Sequence, residues 1–143
     1  FQNRNYNIKR IAYEPSLTYI YKSNLRVIFT WSHSEKADSP GKILSVSGNE
    51  INTEVKYNVL SGAGITGRFA YNEIAWRGPA GSAFSTAGFV MLEGLQPGKN
   101  YIWNLDMVKR IGRNLEMNIQ YEGRKPGNSN IIHTGRAGIR AMF

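Results

Sequence analysis

Gly135-Arg136-Ala137-Gly138-Ile139-Arg140-Ala141-Met142-Phe143 ends on an aromatic after a run in which the side chains alternate in character. A period of two is the signature of a strand, because successive side chains point to opposite faces of a sheet. Arg136, Gly138, Ala141 and Phe143 fall at the spacing polar-x-Gly-x-x-hydrophobic-x-aromatic. The segment predicts a last strand in which Ile131, His133, Gly135, Ala137, Ile139, Ala141 and Phe143 oppose Thr134, Arg136, Gly138 and Arg140.

The same period governs most of the preceding chain. Leu115, Met117, Ile119 and Tyr121 alternate with Glu116, Asn118, Gln120 and Glu122. Before the tight turn Gly112-Arg113-Asn114, residues Tyr101, Trp103, Leu105 and Met107 alternate with Asn104, Asp106 and Val108. A strand from about Ile51 to Leu60 places Val55, Tyr57 and Val59 on one face, with Glu54, Lys56 and Asn58 on the other. Ser61-Gly62-Ala63-Gly64 turns the chain, since glycine supplies the positive φ of short hairpins. The return strand carries Ile65, Gly67, Phe69 and Tyr71, after which Ile74 and Trp76 shift the apolar phase and predict a bulge near Asn72-Glu73. Ser16 to Ser34 keeps one parity throughout and predicts a single long strand, despite the turn-like pair Ser23-Asn24.

About six strands are legible, and eight if Tyr6–Tyr13 and Phe84–Leu92 also pair. Residues 1–14 read as a lead-in strand or linker and 15–143 as a meander in one domain, with no internal repeat. The chain has no Cys, which excludes disulfides, thiolate metal sites and a cysteine nucleophile. Phe1-Gln2-Asn3-Arg4 carries no export signal and reads as a processed or interior start. No apolar run reaches 18 residues, so no transmembrane helix is expected; barrel strands need only about 9–11 residues, apolar at alternate positions. The formal charge of +8 is compatible with nucleic acid, anionic headgroups or acidic partners.

Two folds satisfy such alternation. A sandwich packs its apolar faces together; a membrane barrel turns them to lipid and its charges inward. The strands are long for a sandwich, whose strands average about 5–6 residues. Tyr and Trp recur near strand ends, namely Tyr21, Trp31, Tyr57, Tyr71, Trp76, Tyr101, Trp103 and Tyr121, as interfacial girdles require. Long polar connections (about Glu35–Ser47, Arg77–Lys99, Gly123–Asn130) take turns with tight ones (Ser61–Gly64, Gly112–Asn114), which matches long outer loops and short periplasmic turns.

The expectation is therefore an all-β, antiparallel transmembrane β-barrel in the outer membrane, of which this is the C-terminal portion. Six strands would leave open edges in lipid, so upstream strands or a partner should complete it. Arg136, Gly138, Ala141 and Phe143 are the expected assembly signal. Arg68, Asp106, Glu116, Glu122, Arg136 and Arg140 are the expected lumen-facing charges, and Tyr21, Trp31, Tyr57, Tyr101, Trp103 and Tyr121 the interface aromatics. Expected partners are membrane lipid and lipopolysaccharide, which Arg124-Lys125 could meet, the barrel-assembly machinery and other surface proteins.

Three strings add a family likeness. Glu93-Gly94-Leu95-Gln96-Pro97-Gly98-Lys99-Asn100-Tyr101-Ile102-Trp103-Asn104, Tyr121-Glu122-Gly123-Arg124-Lys125-Pro126-Gly127 and His133-Thr134-Gly135-Arg136 running to Phe143 together resemble the C-terminal ends of large outer-membrane β-barrel proteins of Bacteroidota. The likeness covers about the last fifty residues well and the rest loosely. It implies location and architecture, in a group that uses dedicated secretion and uptake barrels, and carries over no catalytic residue. The segment Leu95 to Trp103 also resembles the Leu-x-Pro-Gly-x-x-Tyr corner of fibronectin type III domains, so the alternative is a secreted β-sandwich binding module.

Candidate sites reduce to structural roles. Gly62-Ala63-Gly64-Ile65-Thr66-Gly67 matches G-x-G-x-x-G, but a dinucleotide fingerprint needs a helix next and a strand is expected here. His33 and His133 are the only histidines, too few to converge on a metal. Asp106, Glu116 and Glu122 alternate with Arg110, Arg136 and Arg140, which suits ion-pair ladders better than acid–base chemistry. No G-x-S-x-G occurs; a lipid hydrolase built on His33 or His133 is the third reading. Aromatic and basic residues are expected on opposite faces, which does not suit single-stranded nucleic acid, where bases stack beside held phosphates. No cofactor and no enzymatic activity are expected.

Overall fold

The computed structural model describes residues 8–38, 44–59, 62–79, 83, 86–93 and 95–141. Its strands are β1 (Ile8–Tyr13), β2 (Ser16–Tyr21), β3 (Leu25–Asp38), β4 (Ser45–Val59) and β5 (Ala63–Arg77). A helix, α1 (Thr86–Leu92), precedes β6 (Gly98–Ile111), β7 (Leu115–Lys125) and β8 (Ile132–Ala141). All eight strands form one antiparallel sheet in the order β1-β3-β4-β5-β6-β7-β8, with β2 also on β3. The sheet is open and not closed into a barrel. Among the described residues the strands form this one hydrogen-bonded sheet.

β1 and β2 are one interrupted stave. Both pair with β3 in the same register, Ile8 opposite Asp38 and Tyr21 opposite Leu25. Between them lies Pro15, which has no N–H for the ladder but accepts a hydrogen bond from Trp31 N at 3.1 Å. The expected single strand from Ser16 to Ser34 is instead a hairpin turning at 22–24. The alternation survives the turn for a geometric reason. Three connecting residues make Tyr21 face Leu25, so odd residues stay opposite odd ones and the alternation runs through the turn unmarked.

The connections 60–62 and 112–114 are also three residues long and lie at the same end of the sheet. Positive φ at Lys22, Gly62 and Gly112 accompanies these turns, a conformation glycine adopts at no steric cost. The opposite end carries the connections 39–44, 78–97 and 126–131. The asymmetry is that of the sequence reading, with one more tight turn than it counted.

Two further expectations are corrected. No bulge interrupts β5: its register against β4 is constant from Ser45↔Arg77 to Val59↔Ala63. What changes near Asn72 is the face that is apolar. Where a strand was expected over Phe84–Leu92, Thr86–Leu92 is helical, and Phe84 and Ser85 lie outside the described residues. The helix explains the change of face. Met91 and Leu92 are buried against Val46, with Ile8, Leu44, Ile74, Trp76 and Ala83 packed around them.

Candidate functional site

Every register sum is even, so odd-numbered strand residues share one face of the entire sheet and even-numbered ones the other. The functional feature is the contrast between these two faces.

The odd face is apolar and open. It is crossed by rows such as Tyr21–Leu25–Tyr57–Ile65–Met107–Ile119–Ala137. Among the described residues, sixteen of the nineteen exposed large apolar side chains on strands belong to it; Ile20, Val108 and Ile132 are the exceptions. Phe69 is 44% exposed and Leu105 46%, although both sit on central strands. The described buried apolar residues, by contrast, are Val46, Met91 and Leu92 alone. The accessible surface is 10540 Å², against about 7,400 Å² for a compact water-soluble monomer of this mass. Soluble monomers rarely leave apolar patches beyond a few hundred Å² uncovered.

Aromatic residues border the apolar stretch. Trp31 aligns with Ile51, Tyr71, Tyr101 and Lys125 across β3 to β7, and the Tyr71 and Tyr101 rings lie 5.1 Å apart. Trp103, Tyr121 and His133 form a linked group: Trp103 Nε1 donates to Tyr121 Oη at 3.4 Å, and Tyr121 Oη bonds His133 Nδ1 at 2.9 Å. The Trp103 ring lies over Gly123, its partner in register, where any Cβ would strike the indole. Of the expected interface aromatics, Trp31, Tyr101, Trp103 and Tyr121 stand toward the long-connection end, and Tyr21 and Tyr57 toward the tight turns. Trp76, also read as a girdle residue, is on the even face and packs beside the Val46 cluster.

Beyond the aromatic border the odd face turns polar. The row Tyr13–His33–Asn49–Glu73–Lys99 follows, with Glu35, Ser47, Arg77 and Lys125 at the same end. His33 Nδ1 lies 2.8 Å from Asn49 Oδ1, and its Nε2 3.6 Å from Glu35.

The even face carries the charges. Arg68, Asp106, Glu116, Glu122, Arg136 and Arg140 all lie on it, with Glu116 opposite Arg140 in register and Gln120 opposite Arg136. Arg68 Nε donates to Glu54 at 2.7 Å, and Lys56 Nζ sits 3.0 Å from the other oxygen of the same carboxylate. Arg110 and Glu116 are 4.0 Å apart. An open polar depression of about 240 Å³ is lined by Asp106, Gln120, Glu122, Thr134 and Arg136, together with Asn104 and Tyr121. Of the expected assembly signal, Arg136 and Gly138 lie on the even face and Ala141 on the odd; Phe143 lies outside the described residues.

At the long-connection end the even face is capped. Lys36 Nζ donates to the Met91 carbonyl at 3.0 Å and to Glu93 Oε1 at 2.6 Å, tying the C-terminus of α1 to β3. Arg10 approaches the same carboxylate at 3.8 Å. These cations hold the Glu93 carboxyl below the ordinary carboxylate range, the Lys36 hydrogen bond contributing most. Beside the cap, Asn100 is fully buried. It donates to the carbonyls of Gln96 (2.7 Å) and Gly98 (3.3 Å) and accepts from the N–H groups of Gln96 (3.3 Å) and Gly127 (3.2 Å). One side chain thus staples two connections. Lys36, Glu93, Asn100 and Gly123 were all missed in the sequence, and only Lys36 left a trace there, as a basic residue in the phase of Ser32 and Ser34.

Gly62 lies in a turn, while Gly64 and Gly67 are inside β5, so the glycine motif leads into a strand and has no helix N-terminus to hold a pyrophosphate. No cluster of three metal-binding side chains occurs among the described residues. Among the described residues no helix is long and apolar enough to cross a membrane. No family model, curated protein or solved structure matched the chain.

Proposed function

We propose that this chain is the C-terminal portion of an outer-membrane β-barrel of the Bacteroidota type, a non-enzymatic structural or transport component of a cell-surface complex. The observation that carries the reading is the uncovered apolar odd face, bordered by aromatics and giving way to polar residues at the long-connection end. Ile51–Val59 against Ala63–Tyr71 gives nine residues on each strand, the length of a tilted transmembrane stave. In this reading the odd face contacts hydrocarbon, the even face lines the interior, and Arg77, Lys99 and Lys125 meet the phosphates of lipopolysaccharide. The long connections face outward, where they engage other surface proteins, and β8 with Phe143 is what the assembly machinery reads. Nucleic acid has no place in this scheme, since aromatics and most cations occupy opposite faces.

The three tryptophans supply the test. Reconstituted with lipids brominated along the acyl chain, Trp31 and Trp103 should be quenched, whereas Trp76, on the even face under α1, should not. The readout is fluorescence of variants keeping one tryptophan each. A protein that stays monomeric in plain buffer, with Trp31 and Trp103 shielded from aqueous quenchers, would overturn the proposal.

A further inference from the structure

The two edges of the sheet run the same way. The β1/β2 stave descends from the long-connection end to the turn at 22–24, and β8 descends from Ile132 to Ala141, which lies beside the turn at 112–114. Between them β3, β4, β5, β6 and β7 alternate in direction. The sheet thus has seven staves with parallel edges, because β1 and β2 share one register.

From this polarity we infer that the sheet is closed by an odd number of further amphipathic staves, carried by strands that precede β1 in the natural polypeptide. The inference rests on the membrane reading, since only in hydrocarbon must every backbone group on both edges be paired. An all-antiparallel ring cannot join β8 directly to β1/β2, and seven staves fall below about eight, the smallest closed membrane barrel. A second copy cannot close it either. Copies inserted in the same orientation keep their strand directions, so β8 of one would meet β1/β2 of the next in parallel. The inserted sheet must instead present ascending strands at both ends, which requires one, three, five or another odd number. Sequential strands are usually neighbours. The chain enters β1 at the long-connection end, so a strand leading into it there ascends, the direction that this edge demands. The inserted sheet must also match the existing faces, apolar outside beside Leu17, Tyr19 and Ile139, and polar inside beside Thr18, Arg136 and Arg140.

The test is photocrosslinking in the natural full-length polypeptide in its membrane, with benzoylphenylalanine placed at Tyr19 or Tyr21 on one edge and at Ala137 or Ile139 on the other. Both edges should capture residues preceding β1 in the same polypeptide. Moving the probe from Tyr19 to Tyr21, or from Ala137 to Ile139, should shift the captured site by about two residues toward the N-terminus, as antiparallel pairing dictates. Capture of residues 8–21 by the β8 probe, within one copy or between two, would overturn the inference. So would capture of a different polypeptide, or a shift toward the C-terminus. Carbonate extraction of the same samples separates the two claims: release into the aqueous phase with the captures intact would refute the membrane reading alone.

Discussion

β4 and β5 each contain two regions with the same pairing and opposite polarity. Along Ile51–Val59 and Ala63–Tyr71 the odd face is apolar and uncovered, whereas the even face carries Asn52, Glu54, Lys56 and Arg68. Along Ser45–Glu50 and Asn72–Arg77 the odd face shows Ser47, Asn49, Glu73 and Arg77, and the even face buries Val46 with Ile74 and Trp76 beneath α1. The backbone is indifferent to the change. What differs is what covers each face: below, the apolar odd face is uncovered, and above, α1 packs on the even face. In the proposed membrane setting the same pleat serves two solvents.

The sharpest way to break this comparison is to place one charge in each region. Leu105→Arg, on the odd face of β6, should cost about 2–4 kcal/mol of folding stability in lipid, the penalty for a cation near the middle of the hydrocarbon. Ala75→Arg, on the odd face above the border, should fall within about 0.5 kcal/mol of the parent. Denaturant titration in vesicles measures both. Equal penalties would mean that the two regions see one medium.

The cap is the next target. Met91 is 1% exposed, and Met91→Ala should cost about 2–3 kcal/mol from lost transfer energy and the remaining cavity. The loss is expected to be local. Amide exchange should rise at Ser45–Glu50, Asn72–Arg77 and α1 and stay unchanged at Ile51–Val59. Uniform acceleration would show the two regions to be one cooperative unit.

How much of this contrast can be read from the sequence depends on which forces leave a periodic trace. Alternation exposed both faces and nearly every stave, because pleating imposes a period of two on any sheet with two different surroundings. It also misled twice. A three-residue turn conserves parity and hid the hairpin at 22–24. The apolar phase change at Ile74 and Trp76 resembled a bulge because a bulge and a covering helix produce the same shift. The covering element itself left no signal: Thr86–Leu92 is seven residues long, under two turns, too short to display helical periodicity. The pairing of Trp103 with Gly123 depends on register, which single-strand patterns do not contain. The hub at Asn100 depends on bringing 95–100 beside Gly127, a tertiary contact.

Asn100 holds the cap's neighbourhood in place through four hydrogen bonds from a fully buried side chain. Asn100→Ala leaves the Gln96 and Gly98 carbonyls and the Gln96 and Gly127 N–H groups without that partner, at a cost of about 1–3 kcal/mol. The expected readout is faster proteolysis at 95–98 and 126–131, with the apolar region still protected. Unchanged cleavage would show that Ser129, which donates to Gln96 Oε1 at 3.3 Å, suffices to hold the two connections together.

The smallest effect separates the regions by pH. Glu93 titrates below the ordinary carboxylate range because Lys36 and Arg10 favour its ionised form. A depressed folded-state pKa contributes stability that is complete above the unfolded value near 4.5 and is lost as pH falls through the lowered one. The carboxylate is more than half exposed, so solvent screening holds the contribution of the pair to under about 1 kcal/mol. Acidification below the ordinary carboxylate range should therefore loosen α1 before it affects the staves. Trp76 emission should shift to the red while Trp31 and Trp103, on the odd face away from the cap, stay constant. Lys36→Met removes the ammonium that donates to the Met91 carbonyl and Glu93 while keeping the apolar stem. It should reproduce the loosened state at neutral pH and abolish the acid transition in Trp76. A transition that persisted in Lys36→Met would assign the acid sensitivity to a different carboxylate and leave the cap held by Met91 and Leu92 alone.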